Sequence, residues 1–337
     1  MKTITFRRPS DYHLHVRQGE RMKNWAPLSA GFGRVLVMPN THPPILIGAQ
    51  AKLYGAEVEA LLPGTEVVPT IQITPDTTAE MILDAKNTHG ILAGKIYPLN
   101  LTSNSEYGFS ADAYRLSSDI FSAMQDCGML LLLHGELPGA GIDTLYREYE
   151  FLEVAGYIHE EFPRLKMVLE HITSAAAADF VADECGENVA ATITVHHLFL
   201  TQNDLFEPKL APHHFCKPVA KLYRDRRALV SAVLSGHPKF FLGTDSAPWL
   251  RGEKECASGC AGVFSAPVAI PLLVEFFAEH DRLDLLEGFT STFGDQFYGL
   301  PHVEGSLTAE QAAWVVPNEY AGVVPFRAGE TIGWRIK

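Results

Sequence analysis

The chain has 337 residues, 47% of them hydrophobic and 20% charged, which is enough apolar material for a large core and excludes a disordered protein. Its formal net charge of −13 argues against nucleic acid or an anionic membrane as partner, since both select clustered Lys and Arg. A small anionic substrate stays open, because bound cations and a single arginine can reverse the field locally.

Short apolar runs alternate with helix-like stretches along the whole chain, the pattern of βα units. The first run ends at His13 to His15; Arg34–Met38, Val67–Ile73 and Ile91–Tyr97 follow. Met129–His134, Lys166–His171, Val189–Val195 and Phe240–Thr244 complete a set of eight, the number that closes a parallel barrel. Between and after them the spacing predicts helices over Gly48–Leu62, Ala111–Asp126, Leu145–Glu161, Ser174–Glu184, Asp225–Ser235, Val268–Glu279 and Leu283–Phe293. Gly128 stands where a helix would turn out through a left-handed residue. The expected fold is therefore an α/β (β/α)8 TIM barrel spanning 1–337 as one domain. Residues 313–337 form a short C-terminal extension of extended pieces packed on its exterior.

The five cysteines are an odd, scattered set, the usage of a reducing compartment rather than of a disulfide scaffold. Cys256 and Cys260 have the look of half a zinc site, but no second pair follows. The N-terminal stretch is not apolar enough for secretion and no window matches a membrane span, so a soluble, cytoplasmic protein is expected.

In such barrels the active site lies where the strands end and the βα loops converge. His13 and His15 are two apart, which on a strand aims both imidazoles to one side. His134, His171 and Asp245 each close a later run. Lys95 sits among Gly94, Ile96 and Tyr97, an interior setting in which burial lowers the amine pKa. A neutral amine adds carbon dioxide to give a carbamate, and two carbamate oxygens suit a bridge between two Zn2+ ions. Four histidines plus that bridge give two zinc ions three protein ligands each, with room for water. Asp245 reads either as a turn aspartate among Gly, Ser and Pro or as a ligand that also shuttles the proton. Arg17 suits bidentate carboxylate binding but is equally a surface residue. His196 and His197, at the end of the seventh run, read as supporting rather than ligating.

These motifs resemble the dihydroorotases of the amidohydrolase superfamily. The likeness runs through Asp11-Tyr12-His13-Leu14-His15-Val16-Arg17, Met38-Pro39-Asn40, Lys95-Ile96-Tyr97-Pro98, Leu133-His134-Gly135-Glu136 and Leu169-Glu170-His171-Ile172-Thr173. It continues through Gly243-Thr244-Asp245-Ser246-Ala247-Pro248, Phe297-Tyr298-Gly299-Leu300-Pro301 and Pro325-Phe326-Arg327-Ala328-Gly329-Glu330. The resemblance implies reversible cyclisation of N-carbamoyl-L-aspartate to L-dihydroorotate at a two-zinc centre, a step of pyrimidine biosynthesis. It implies an N6-carboxylated Lys95 bridging the metals, with His13, His15 and Asp245 on one zinc and His134 and His171 on the other. Arg17 and Asn40 would hold the substrate carboxylate, the backbone near Ala261 would meet the ring, and Thr102 and Ser103 would close over it from a mobile loop. A homodimer is also implied.

One position departs from the pattern. Members usually carry a histidine after Ser-Ala-Pro, where this chain has Trp249. Indole carries no charge, so Arg251 or Lys254 is a candidate to compensate. The same departure keeps open a hydantoinase- or dihydropyrimidinase-like enzyme using the same metals on another ring. A catalytically silent relative is the third reading, and the full set of six candidate ligands counts against it.

Overall fold

The computed structural model describes residues 2–337. Fourteen strands follow in chain order: β1 Thr3–Arg7, β2 Ser10–Leu14, β3 Arg34–Val37, β4 Glu66–Pro69, β5 Ile71–Ile73, β6 Ala93–Ile96 and β7 Leu130–His134. The rest are β8 Met167–Glu170, β9 Val189–Ile193, β10 Phe240–Leu242, β11 Ser306–Glu310, β12 Trp314–Val315, β13 Thr331–Ile332 and β14 Arg335–Ile336.

The parallel ladders run β2-β3-β4 and β5-β6-β7-β8-β9-β10. Two seams make a barrel of them. At the first, β4 and β5 are one run interrupted at Thr70, because Pro69 has no N–H and the Thr70 hydroxyl takes the Val37 carbonyl at 2.8 Å. At the second, Leu14 bridges Ser246 in parallel register, with Asp245 N–H donating to His13 O at 2.8 Å and His15 N–H to Ser246 O at 3.2 Å. Counting β4 and β5 together, β2 to β10 supply the eight staves.

Strand alternation sorts the side chains into two layers. Leu36, Val68, Leu132, Val168, Ala190 and Phe241 form the compact inner core, while Val35, Val37, Leu131, Leu133, Leu169 and Ile193 face the helices outside. The floor is sealed by the helix Phe293–Tyr298. Tyr298 stacks on Tyr12 at 4.5 Å, and the buried Asp295 accepts hydrogen bonds from Tyr12 at 2.6 Å, Ser10 at 3.1 Å and Arg34 at 2.6 Å.

The helical layer departs from the sequence expectation in places with visible causes. The stretch expected over 111–126 breaks at Ser117 into Ala113–Leu116 and Ser118–Cys127, the Ser117 hydroxyl donating back to Ala113 O at 2.8 Å. Gly128 then takes φ 70°. Leu283–Phe293 is not one helix but a 3-10 turn at Leu283–Leu285 and a widened turn at Gly288–Thr292, where Thr290 donates back to Leu286 O at 2.7 Å. A helix at Ala79–Asn87, capped by the Thr78 hydroxyl, was not anticipated. The seventh run stops at Ile193, and Val195–Phe199 turns helical on a Thr194 cap. At the chain's end β11 pairs with both β1 and β14, and β12 with β13. Among the described residues no helix is long and apolar enough to cross a membrane.

Candidate active site

Inward alternation delivers Lys95 and His134 to the upper end of the barrel, and Glu170 beside them in register with His134. Simple alternation does not deliver all of the rest. The β2–β3 register slips between Asp11 and Leu14, so Tyr12 fills the inner core while His13 and His15 still reach the mouth. His171 follows an inward residue and would point out; it turns in because its backbone adopts φ 44°. Asp245, four residues after the inward Phe241, already has inward parity; it and Arg17 also take left-handed backbone, at φ 44° and φ 62°. Three non-glycine residues in the left-handed region beside one cavity mark backbone strain held by the surrounding fold. Gly243 leaves room at the seam, where a Cβ would lie 2.8 Å from Thr192 Cβ and 2.9 Å from His13 Cβ.

The resulting cavity is lined by His13, His15, Arg17, Asn40, Thr102, Ser103, His134, His171, Asp245 and Ala261. Tyr97, Lys217 and Gly262 complete much of the remaining wall. His13 Nε2 lies 3.3 Å from His15 Nε2 and 3.4 Å from Asp245 Oδ1, and His15 Nε2 lies 3.1 Å from that oxygen. These three donors fall within 4.8 Å of one another, a set able to hold one cation. His134 and His171 pack at 4.6 Å between ring centroids, with His13 4.9 Å from His171. Lys95 lies fully buried nearby, and its Nζ has no hydrogen-bond partner among the described residues, nor has Nδ1 of His171. Two buried polar atoms without partners, beside imidazoles packed ring to ring, fit a site built for cations.

The titration of these groups follows their burial. His13 is held well below its ordinary range, so its 2.7 Å contact to Glu170 is a hydrogen bond from a neutral Nδ1–H rather than an ion pair, leaving Nε2 with its lone pair. Burial pushes Lys95 down to about 8 and Glu170 up to about 7. At Asp245 burial works upward, but His13 and the His15 hydrogen bond outweigh it and hold the carboxyl below its usual range. Glu170 also accepts from Thr192 Oγ1 at 2.7 Å, and His134 Nε2 meets Glu136 at 2.7 Å. The sequence reading assigned no role to Glu136 or Glu170; a carboxylate beside each candidate histidine was the available signal.

Arg17 is half-buried, and desolvation lowers it to about 10. Its Nε donates to Pro248 O at 3.2 Å, and no acceptor among the described residues engages its two terminal nitrogens. Asn40 spends its amide N–H on Ser103 O at 3.0 Å, and Asn104 donates to Asn40 O at 2.7 Å, so the 100–105 loop rests on Asn40. Arg251 and Lys254 do not compensate for Trp249. Arg251 pairs with Glu255 and Glu319 on the surface, and Lys254 Nζ donates to the carbonyls of Phe215, Cys260 and Gly262. The cation that faces the cavity besides Arg17 is Lys217, on a connection with no strand or helix period to betray it. Beneath it, His197 meets Thr194 Oγ1 at 2.8 Å and Pro218 O at 3.2 Å, which commits both ring nitrogens to holding that wall.

No family model matches the chain. Among curated proteins it is 44% identical over 346 residues to the dihydroorotase of Aromatoleum aromaticum, covering 100% of both chains. Its fold is similar to a crystal structure of Saccharomyces cerevisiae dihydroorotase in complex with 5-fluoroorotic acid (TM-score 0.94, 34% identity, 100% of this chain and 99% of that one). It is also similar to L-hydantoinase from Arthrobacter aurescens (TM-score 0.83, 98% of this chain and 82% of that one), but at 14% identity that likeness concerns the fold alone. Full-length identity of that size, on a metal-competent barrel mouth, is what common descent from one enzyme leaves behind: the chain belongs to the dihydroorotase family.

Proposed function

We propose that this protein interconverts N-carbamoyl-L-aspartate and L-dihydroorotate. The observation that carries the reading, together with family membership, is the convergence of four imidazoles, a buried lysine and an aspartate on a cavity that also presents the free fork of Arg17. In this reading His13, His15 and Asp245 would hold one zinc ion, and His134 and His171 the other. A carboxylated Lys95 would complete the ligand set. Its lowered pKa supports the modification: near neutrality an appreciable share of the amine is neutral, forms the N–C bond to carbon dioxide and releases one proton.

When bound, the two ions supply Lewis acidity toward the amide carbonyl and toward water. The protein's own residues do the rest. For ring opening, Asp245 takes the proton from the attacking water and returns it to the departing ring nitrogen; cyclisation reverses these transfers. Glu170 and Glu136 orient His13 and His134 through their second ring nitrogens. Arg17 engages the substrate carboxylate bidentately, and Lys217 adds positive charge to a protein whose net charge is −13. Ala261 contacts the ring through its backbone. Asn40 reaches the carboxylate by exchanging the Ser103 carbonyl for substrate, which couples occupancy to the position of the loop bearing Thr102 and Ser103.

The same reading takes the chain as one unit, supported by the β1–β11–β14 sheet that ties its two ends together, and as a cytoplasmic homodimer. The test is to incubate the zinc-loaded protein with L-dihydroorotate and with hydantoin and follow ring opening. Opening of dihydroorotate with little action on hydantoin is expected. The reverse preference would establish the hydantoinase-like alternative.

A further inference from the structure

Trp249 stands where the barrel's last βα loop leaves the site, and both of its polar capacities are committed. Its indole N–H donates to Ala261 O at 2.9 Å. Its ring face lies against Arg17, with the guanidinium carbon 4.3 Å from the ring centroid. Arg21 approaches the same indole at 5.8 Å, which leaves Arg17 the principal partner. A planar guanidinium stacked on an aromatic face loses its freedom to rotate, and the ring quadrupole favours the charge there. Arg17 needs that support. It is half-buried, its backbone sits at φ 62°, and one hydrogen bond through Nε to Pro248 O anchors its side chain, one residue before Trp249. Stacking and hydrogen bond together fix the plane of the guanidinium while leaving its terminal nitrogens to the cavity.

We infer that Trp249 is a positioning residue for substrate binding: its indole face holds the Arg17 fork in the orientation that receives the substrate carboxylate, and its N–H holds the Ala261 carbonyl of the cavity wall. The inference rests on the proposed dihydroorotase reading. The polar partners of Trp249 are Arg17, Arg21 and the Ala261 carbonyl and include no candidate metal ligand, so its loss is expected to act on affinity and not on chemistry. Because guanidinium–indole stacking strengthens as it is desolvated, removing the face is expected to raise KM for L-dihydroorotate about tenfold.

The experiment is steady-state kinetics of Trp249→Leu and Trp249→Phe in the zinc-loaded enzyme, with metal content measured on each, and Trp249→Met in case the leucine variant does not fold. Trp249→Leu should raise KM about tenfold with kcat within about twofold and unchanged zinc, and Trp249→Phe, which restores a face, should recover most of the affinity. In an Arg17→Gln background, Trp249→Leu should add little further, since the two residues act as one unit. An unchanged KM in both apolar variants, a loss falling on kcat, or a full additional loss without Arg17 would overturn the inference while leaving the function reading intact. If wild-type protein fails to open dihydroorotate, the function reading falls instead. Calorimetric binding of orotate to the same variants then decides Trp249's part, and equal affinities across the set would defeat it.

Discussion

Lys95 carries a heavier share of the proposed chemistry than any other single residue, because an ordinary ammonium there would repel the cations that the histidines invite. Its burial and unpartnered Nζ are the physical grounds for treating it as modified. Lys95→Ala is expected to lose bound zinc by elemental analysis and to lower turnover about a thousandfold or more, since several kcal/mol of Lewis-acid stabilisation go with the metals. Excess of a small carboxylic acid should restore part of that rate by filling the space of the bridge. Two tightly held zinc ions and normal turnover in the variant would remove Lys95 from the centre. Asp245→Asn keeps shape but cannot move a proton; kcat should drop about 10²- to 10⁴-fold, with circular dichroism unchanged. Wild-type turnover in that variant would sink the assignment. Residue identity made these positions legible from sequence: few side chains can do such chemistry, and each closed an apolar run. Lys217 was not legible, because a lysine in an irregular connection has no periodicity to say which way it faces.

At the scale of elements, the eight strand runs were readable because a stave covered on one side by helices and on the other by the inner core is apolar throughout. What alternation alone could not supply were the devices at the strand ends. The register slip in β2 and the left-handed backbone of His171 move side chains that strict period two would send elsewhere. Helix continuity was misjudged where Ser117 and Thr290 hydrogen-bond one turn back, a local competition that hydrophobic spacing does not register. The 100–105 loop is pinned at its base, with Leu99 N–H on Phe109 O at 2.9 Å and Phe109 N–H on Tyr97 O at 2.8 Å, while its tip meets Asn40. In the proposed reading, closure over substrate belongs to the part beyond these bonds, which carries Thr102 and Ser103. Replacing both by Ala should lower kcat/KM for dihydroorotate about 10²-fold, as two hydrogen bonds to substrate are lost, with zinc content unaltered. An unchanged kcat/KM would reduce the segment to a surface connection.

For the whole molecule, the barrel has a chemical end and a structural end, and each holds a buried charged network. The structural one is Asp295, which receives Arg34, Tyr12 and Ser10 where the closing helix meets β2 and β3. Asp295→Ala leaves the Arg34 guanidinium buried without that partner, and urea unfolding should show a loss of about 3–5 kcal/mol. A loss near zero would mean that Glu66, 2.7 Å from Arg34, suffices alone. The amino-acid sequence by itself determined the number and order of the staves, and which residue types end them, because burial and alternation are written in hydrophobicity. Only the tertiary structure decided which of those ends share a cavity. Barrel closure through Leu14 and Ser246 sets His13, on the first stave, beside Asp245, after the last, and stacks Trp249 on Arg17. Contacts between residues more than two hundred positions apart depend on how the sheet curls and where its seam falls, and no local pattern encodes that.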